Sequence, residues 1–97
     1  MDIISKRVLF EKVAKYPDAQ SAVQVWFDTA SKAEWTCLED VRKSFPATDV
    51  VGVLGIFNIR GNHYRLIARM VWAKKRIYIK EFLTHAEYDK ERWKKWL

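Results

Sequence analysis

Residues 57–88, FNIRGNHYRLIARMVWAKKRIYIKEFLTHAEY, alternate apolar and polar side chains through three runs. A period of two suits a half-buried sheet and not a helix. Gly61-Asn62 separates the first two runs, and both residues tolerate the positive φ of a primed two-residue turn, so a hairpin is expected here. That turn sets Asn58 opposite Arg65, Arg60 opposite His63 and Phe57 opposite Leu66. The next turn, around Lys74-Lys75, contains no glycine. Read as a second two-residue turn, it sets Arg69 opposite Lys80 and Arg65 opposite Thr84.

Cross-strand partners share a face, which sorts the side chains into two sets. One set, Phe57, Ile59, Tyr64, Leu66, Ala68, Met70, Trp72, Ile77, Ile79 and Leu83, is the expected core. The other carries Asn58, Arg60, His63, Arg65, Arg69, Arg76, Tyr78 and Lys80, with Ile56, Ile67, Val71 and Phe82 between them. Like charges directly opposite one another destabilise a sheet, so Arg69 against Lys80 points to a compensating anion. The plainer alternative is that exposed strands use Lys and Arg to stay soluble and to discourage edge pairing.

The chain is 49% hydrophobic and 14% aromatic over 97 residues, enough for one core and hence one domain, residues 1–97, despite 31% charged residues. A net charge of +6 favours a polyanionic partner, either nucleic acid or an acidic protein. No apolar run approaches the roughly 20 residues of a membrane span, and MDIISKRVLF lacks the long apolar segment of a signal peptide. A cytoplasmic protein with no membrane contact is expected. Cys37 has no partner for an internal disulfide, and two histidines make no zinc-like cluster, so no metal or cofactor is expected.

Upstream, Asp2-Ile3-Ile4 reads as a short strand. Ser5 is a candidate N-cap for a helix through Tyr16, and Pro17 ends it. Asp18 reads as the cap of a second helix whose Ala19, Val23, Trp26, Ala30 and Ala33 form the stripe of a helix laid on a sheet. Thr36-x-x-Glu39 is a capping-box pattern opening a short helix with Leu38, Val41 and Phe45 on one side. Ala47 to Gly55 reads as a loop or an imperfect edge strand. Thr84-x-x-Glu87 is another capping box, which sets His85 and Tyr88 on one helical face. The tail KERWKKWL continues as a helix in this reading, with Trp93 and Trp96 packed inward, because two bare indoles on a small basic domain would invite association.

Phe57-Asn58-Ile59, Gly61-Asn62, Arg65, Tyr78-Ile79-Lys80 and Thr84-His85-x-x-Tyr88-Asp89 together resemble the signature of HigB toxins, members of the RelE-like superfamily of type II toxin–antitoxin systems. The more degenerate Leu38…Phe45-Pro46…Asp49 segment extends the resemblance. It implies an α+β fold in which two N-terminal helices pack on one face of a small, mainly antiparallel sheet with a short C-terminal helix. It also implies an endoribonuclease that cuts messenger RNA on the ribosome, inhibits translation, and is neutralised by a HigA-like helix-turn-helix antitoxin. Members of the superfamily differ in their catalytic side chains, so individual roles do not transfer from the resemblance alone.

The residues supply parts for that chemistry. RNA cleavage through the 2′-hydroxyl needs a base, cations against the crowded phosphate, and an acid for the leaving 5′-oxygen. Arg65 is the first candidate for a phosphate clamp, because a guanidinium holds two phosphate oxygens in fixed geometry. Lys80 and Arg69 add positive field. His85 belongs to the side-chain class suited to proton transfer near neutral pH. Tyr88, one helical turn on, is a candidate proton carrier or a stacking platform for an unpaired base. The catalytic set is therefore Arg65, Lys80, His85 and Tyr88, with Asn58, Arg60, His63, Arg69, Arg76 and Tyr78 as the RNA-binding surface. Two other classes stay open on residues alone: a non-catalytic RNA-binding module and a protein-interaction domain.

Overall fold

The computed structural model describes residues 1–97. Strand β1 (Asp2–Ile4) leads into α1 (Lys6–Val13), a 3₁₀ turn over Pro17–Ala19 runs into α2 (Gln20–Lys32), and α3 (Leu38–Ser44) follows. Strands β2 (Asp49–Val51), β3 (Leu54–Ile59), β4 (Tyr64–Val71) and β5 (Arg76–Thr84) come next, then α4 (His85–Asp89) and a 3₁₀ segment over Arg92–Trp96. One five-stranded sheet results, in the order β1-β5-β4-β3-β2, with β1 parallel to β5 and every other pair antiparallel. The α+β architecture expected from the alternation and the resemblance is present. The uncertain stretch before β3 is an edge strand, β2, turned back at Gly52, whose φ of 58° is one that glycine adopts without strain.

The helical stripe is buried as its spacing requires. Ala19, Val23, Trp26 and Ala30 are at most 1% exposed and meet Leu9 and Val13 of α1 and Phe57, Leu66 and Ala68 of the sheet. Trp26 meets Phe57 edge-on at 5.2 Å between ring centres, and Phe45 meets the same ring at 5.7 Å. Each fully buried side chain of this size contributes about 1.5–3 kcal/mol, so this face holds helices and sheet together. Three cap assignments differ from the sequence reading. Ser5 is left-handed (φ 70°) and makes no side-chain cap, and α1 stops at Val13. Asp18 precedes α2, its carboxylate taken instead by the Tyr64 hydroxyl at 2.7 Å and by Arg60 at 3.0 Å. Near α3 it is Asp40, not Glu39, that accepts the Thr36 N–H and hydroxyl, at 3.0 and 2.9 Å.

The first hairpin has the expected register, with Asn58 opposite Arg65 and Phe57 opposite Leu66. Its connection differs: four residues, Arg60–His63, lie outside the strands, and the positive φ values fall on Arg60 and Gly61 rather than on Gly61 and Asn62. The second hairpin departs further. Its connection also has four residues, Trp72–Lys75, of which only Lys75 is left-handed (φ 53°). A two-residue type I′ turn would have demanded that conformation of both lysines, each at a steric cost that glycine avoids. Arg69 therefore faces Tyr78, not Lys80.

Farther along this hairpin the pairing slips by one residue. Ala68 faces Ile79 but Ile67 faces Glu81, so Lys80 is the unpaired residue of a β-bulge. A one-residue slip exchanges the faces of everything beyond it. Phe82 consequently lies in the core, 3% exposed and stacked on Tyr64 at 5.3 Å, whereas Leu83 turns to the opposite face beside Arg65. Both positions are the reverse of those inferred from strict alternation.

The second face is covered in part by the chain's own tail. α4 ends at Asp89, and Glu91, left-handed at φ 59°, redirects the chain so that no helix continues through the tail as expected. Trp93 folds back and is 4% exposed, sealing a small core with Leu54, Ile56 and Ile67. Trp96 packs less completely: at 38% exposed, it donates its indole N–H to Glu81 at 3.1 Å. The tail and the bulge thus account for Ile56, Ile67 and Phe82, apolar residues that alternation alone leaves on the cationic surface.

Candidate active site

Arg65 projects from β4 into the space between β3 and the tail, 9% exposed. A guanidinium this buried has to be hydrogen-bonded, and the β3–β4 turn does it. Nη1 donates to the carbonyls of Tyr64 (3.1 Å) and Asn62 (3.3 Å), and Nη2 donates to the Asn62 side-chain oxygen. Asn58, though directly opposite, makes none of these bonds; its amide is left free. Of the five guanidinium N–H groups, those not bound by the turn remain for an anion. Tyr88 on α4 lies against Arg65, 5.3 Å from guanidinium carbon to ring centre, and stacks on Trp93 at 5.1 Å with the planes 3° apart. The Trp93 indole N–H fixes the stack by donating to the Tyr88 carbonyl at 3.0 Å. With its ring engaged by these two neighbours, Tyr88 offers its hydroxyl rather than an open face for base stacking. Burial pushes that hydroxyl above the usual tyrosine range, and the charge of Asp49 adds to the push while Arg65 opposes it. It therefore keeps its proton at neutral pH.

Arg65 and Tyr88 form one wall of a hollow of about 380 Å³ whose other lining includes Arg42, Thr48, Asp49 and Asn58. Beside it, Asn62, His63, Thr84 and His85 line a second hollow. Asn62 is the shared partition, holding Arg65 on one side and lining the His85 cleft on the other. His85 opens α4 behind the Thr84 cap, where the expected capping box is complete: Thr84 Oγ1 accepts from Glu87 N at 3.2 Å and Glu87 Oε1 accepts from Thr84 N at 3.0 Å. The His85 main-chain N–H is tied to the His63 carbonyl at 3.0 Å. Its ring Nδ1 lies 3.0 Å from Asp89 Oδ2, leaving Nε2 for solvent or substrate. A carboxylate on one imidazole nitrogen sets the orientation and proton position of the other.

The remaining sequence candidates are distributed more widely. Lys80, displaced by the bulge, lines neither hollow; its ammonium lies 5.0 Å from the Trp96 ring centre and 5.9 Å from that of Tyr78. Arg69 is exposed and lines a separate, largely apolar groove with Leu54 and Trp72. Arg76 donates to the Tyr78 hydroxyl at 3.3 Å, which lowers the tyrosine's pKa. Arg60 is paired with Asp18, and His63 Nδ1 lies 3.0 Å from the Arg60 carbonyl oxygen. Arg65, Tyr88 and Asn58 thus share one hollow with His85 and His63 in the next, while Lys80, Arg69, Arg76 and Tyr78 lie apart from both. The structure also introduces residues that sequence reasoning did not single out as site residues. Asp89 was legible as the i+4 neighbour of His85 on a short helix; Asn62 and Asp49 stood among the residues of the family resemblance without a site role, and Arg42 carried no signal.

A family profile described as HigB_toxin, the RelE-like toxic component of a toxin–antitoxin system, matches residues 19–91. The chain is 29% identical over 92 residues to the mRNA interferase toxin HigB of Escherichia coli K12, covering 92% of this chain and 88% of the relative. It is 31% identical over 93 residues to the mRNA interferase HigB of Escherichia coli O6:H1, covering 93% and 90% respectively. The mRNA interferase HigB of Shigella flexneri is 29% identical over the same extent as the first. The fold, the profile match across the hairpins and both hollows, and this near full-length similarity agree: the chain belongs to the HigB family of RelE-like toxins, the toxic components of toxin–antitoxin systems.

Proposed function

We infer that this toxin is an endoribonuclease that cleaves messenger RNA by attack of the 2′-hydroxyl on the scissile phosphate, and that it does so on the ribosome. The observation that carries the reading is the pairing of the Arg65–Tyr88 hollow with the His85–Asp89 cleft across Asn62. Arg65, pre-positioned by the turn, holds the phosphate with its remaining N–H groups. His85, oriented by Asp89, takes the proton of the 2′-hydroxyl through Nε2. Tyr88, whose hydroxyl burial holds above the usual tyrosine range, gives its proton to the leaving 5′-oxygen. Asn58 and His63 flank the cut, and the more distant Arg60, Arg69, Arg76 and Lys80 supply positive field along the path that leads the RNA in, with Tyr78 as an aromatic contact among them. The relatives' names, mRNA interferases, support the substrate.

The toxin works in the cytoplasm, and its antitoxin is a HigA-like helix-turn-helix protein. Expression of the wild type should arrest growth and shorten transcripts, and Arg65→Ala combined with His85→Ala should abolish both. Undiminished cleavage by the double variant overturns the assignment. Salt-dependent RNA binding without cleavage, even with ribosomes present, establishes a binding module instead.

A further inference from the structure

The hollow in front of Arg65 and Tyr88 has a wall that the cleavage chemistry leaves unused. It is built by the turn between α3 and β2. Thr48, 3% exposed, closes this turn by donating both its N–H (3.1 Å) and its hydroxyl (2.7 Å) to the Phe45 carbonyl. Its own carbonyl then accepts Arg42 Nε at 3.1 Å. One bond therefore anchors the Arg42 guanidinium and leaves both terminal nitrogens without a protein partner. Next in sequence, Asp49 accepts the Val50 N–H at 2.8 Å through Oδ1, leaving Oδ2 unpaired. The Asn58 amide is free as well, and the buried Ile56 supplies an apolar part of the lining.

A phosphate alone does not explain this wall, because Asp49 repels it. A surface presenting a carboxylate with one oxygen unpaired and an unpaired guanidinium fork suits a flat ligand with donors on one edge and adjacent acceptors on another. Among the RNA bases that is guanine: N1–H and the exocyclic N2 amine match a carboxylate, and O6 and N7 match a guanidinium. Adenine would turn its N1 lone pair toward the Asp49 carboxylate. The pyrimidines lack the N7 edge altogether. A hollow of about 380 Å³ lies at the small end of the range for ligand sites, a scale suited to one base rather than a longer stretch of RNA.

We propose that Arg42 and Asp49 form a base-reading pocket that selects guanine at the nucleotide adjoining the scissile phosphate. The proposal rests on the cleavage reading above for the position of that nucleotide, but not for the recognition itself. Two measurements separate them. The first is binding of guanosine 3′-monophosphate against adenosine 3′-monophosphate to the purified toxin by calorimetry or NMR titration. Guanosine should bind at least about 10-fold tighter, the discrimination of one good bidentate contact. Asp49→Asn, which trades an acceptor oxygen for a donor, should erase the preference, and so should Arg42→Lys, which keeps the charge but loses the fork. Melting curves identify any variant that fails to fold, and the other then carries the test.

The second measurement maps transcript ends after brief expression: wild-type cuts should cluster beside guanine, and those of either variant should spread to other bases. Equal binding of the two nucleotides together with cuts showing no guanine bias overturns the pocket and leaves the cleavage reading standing. A guanosine preference that is lost in the variants, in a protein that cuts no RNA, supports the pocket and overturns the cleavage reading.

Discussion

Trp93→Ala is the substitution whose cost the structure specifies most closely. Trp93 is 4% exposed, on a floor of Leu54, Ile56 and Ile67 that are each at most 1% exposed, and it stacks on Tyr88. Truncating a fully enclosed Trp costs about 3–5 kcal/mol, including roughly 0.5–1.5 kcal/mol for an aromatic pair. Two features place this site at the lower end. Residues 94–97 that follow it are all exposed, so little packs over this segment and the cavity can partly collapse or take in water. In addition, the Tyr88 carbonyl that loses the indole N–H still accepts the Glu91 N–H at 3.0 Å, so no acceptor is stranded. About 3 kcal/mol remains. At about 4–8 °C per kcal/mol for a domain of this size, the midpoint of thermal unfolding should fall by roughly 12–24 °C, measured by circular dichroism. Trp96→Ala is the internal control. At 38% exposed, with one hydrogen bond and cation–π contacts to the ammonium groups of Lys80 and Lys95, it should cost no more than about 1 kcal/mol. Equal losses for the two variants, or a fall below about 4 °C for Trp93→Ala, would refute the account of the tail as the cover of a second core.

Three further outcomes test other parts of the structure. Asn62→Ala removes the side-chain anchor of Arg65 but leaves the main-chain one, so RNA cleavage should drop about 10-fold or more while the melting temperature shifts by only a few degrees; single-turnover assays and melting curves on the same preparation decide it. Burial pushes the Glu81 carboxyl up, but hydrogen bonds from Lys12 (2.8 Å) and Trp96, with the charges of Lys12 and Lys95, outweigh it and hold the group below its ordinary value of 4.5. A carboxylate depressed in the folded state stabilises above its unfolded pKa and loses that contribution as pH falls through the folded one. Wild-type stability should therefore decline more steeply than that of Glu81→Gln as pH drops below about 5, and parallel denaturation curves would remove Glu81 from the explanation. Charge reversal at Arg69 and Lys80 should weaken antitoxin binding by about 1–3 kcal/mol if acidic antitoxin residues pair with them. Unchanged affinity in a titration would assign the antitoxin to the helical side.

What could be read from the sequence was what depends on neighbours a few residues apart. The α2 stripe, the Thr84–Glu87 capping box and the register of the β3–β4 hairpin follow from periodicity and local hydrogen bonding, and all three are present. The family was legible for the same reason, since its motif residues cluster on those elements. The capping failures at Asp18 and Thr36 share one cause: groups with more than one available partner. Asp18 satisfies local capping rules yet is drawn to Tyr64 and Arg60, residues more than 40 positions away. Thr36 is satisfied by Asp40 rather than Glu39.

The bulge at Lys80 is decided by how β5 fits β4 along its whole length, and it exchanges Phe82 and Leu83 between faces against an intact alternation pattern. The candidate site divides along the same line. Arg65, His85 and Tyr88 were named from residue chemistry and spacing. That Asn62 holds Arg65, that Trp93 backs Tyr88, and that Arg42 and Asp49 close the hollow depend on the α3–β2 turn and the C-terminal tail approaching one sheet face from distant parts of the chain. Sequence spacing carries no information about such an approach; only the closure of the tertiary structure decides which unpaired polar groups end up facing one another.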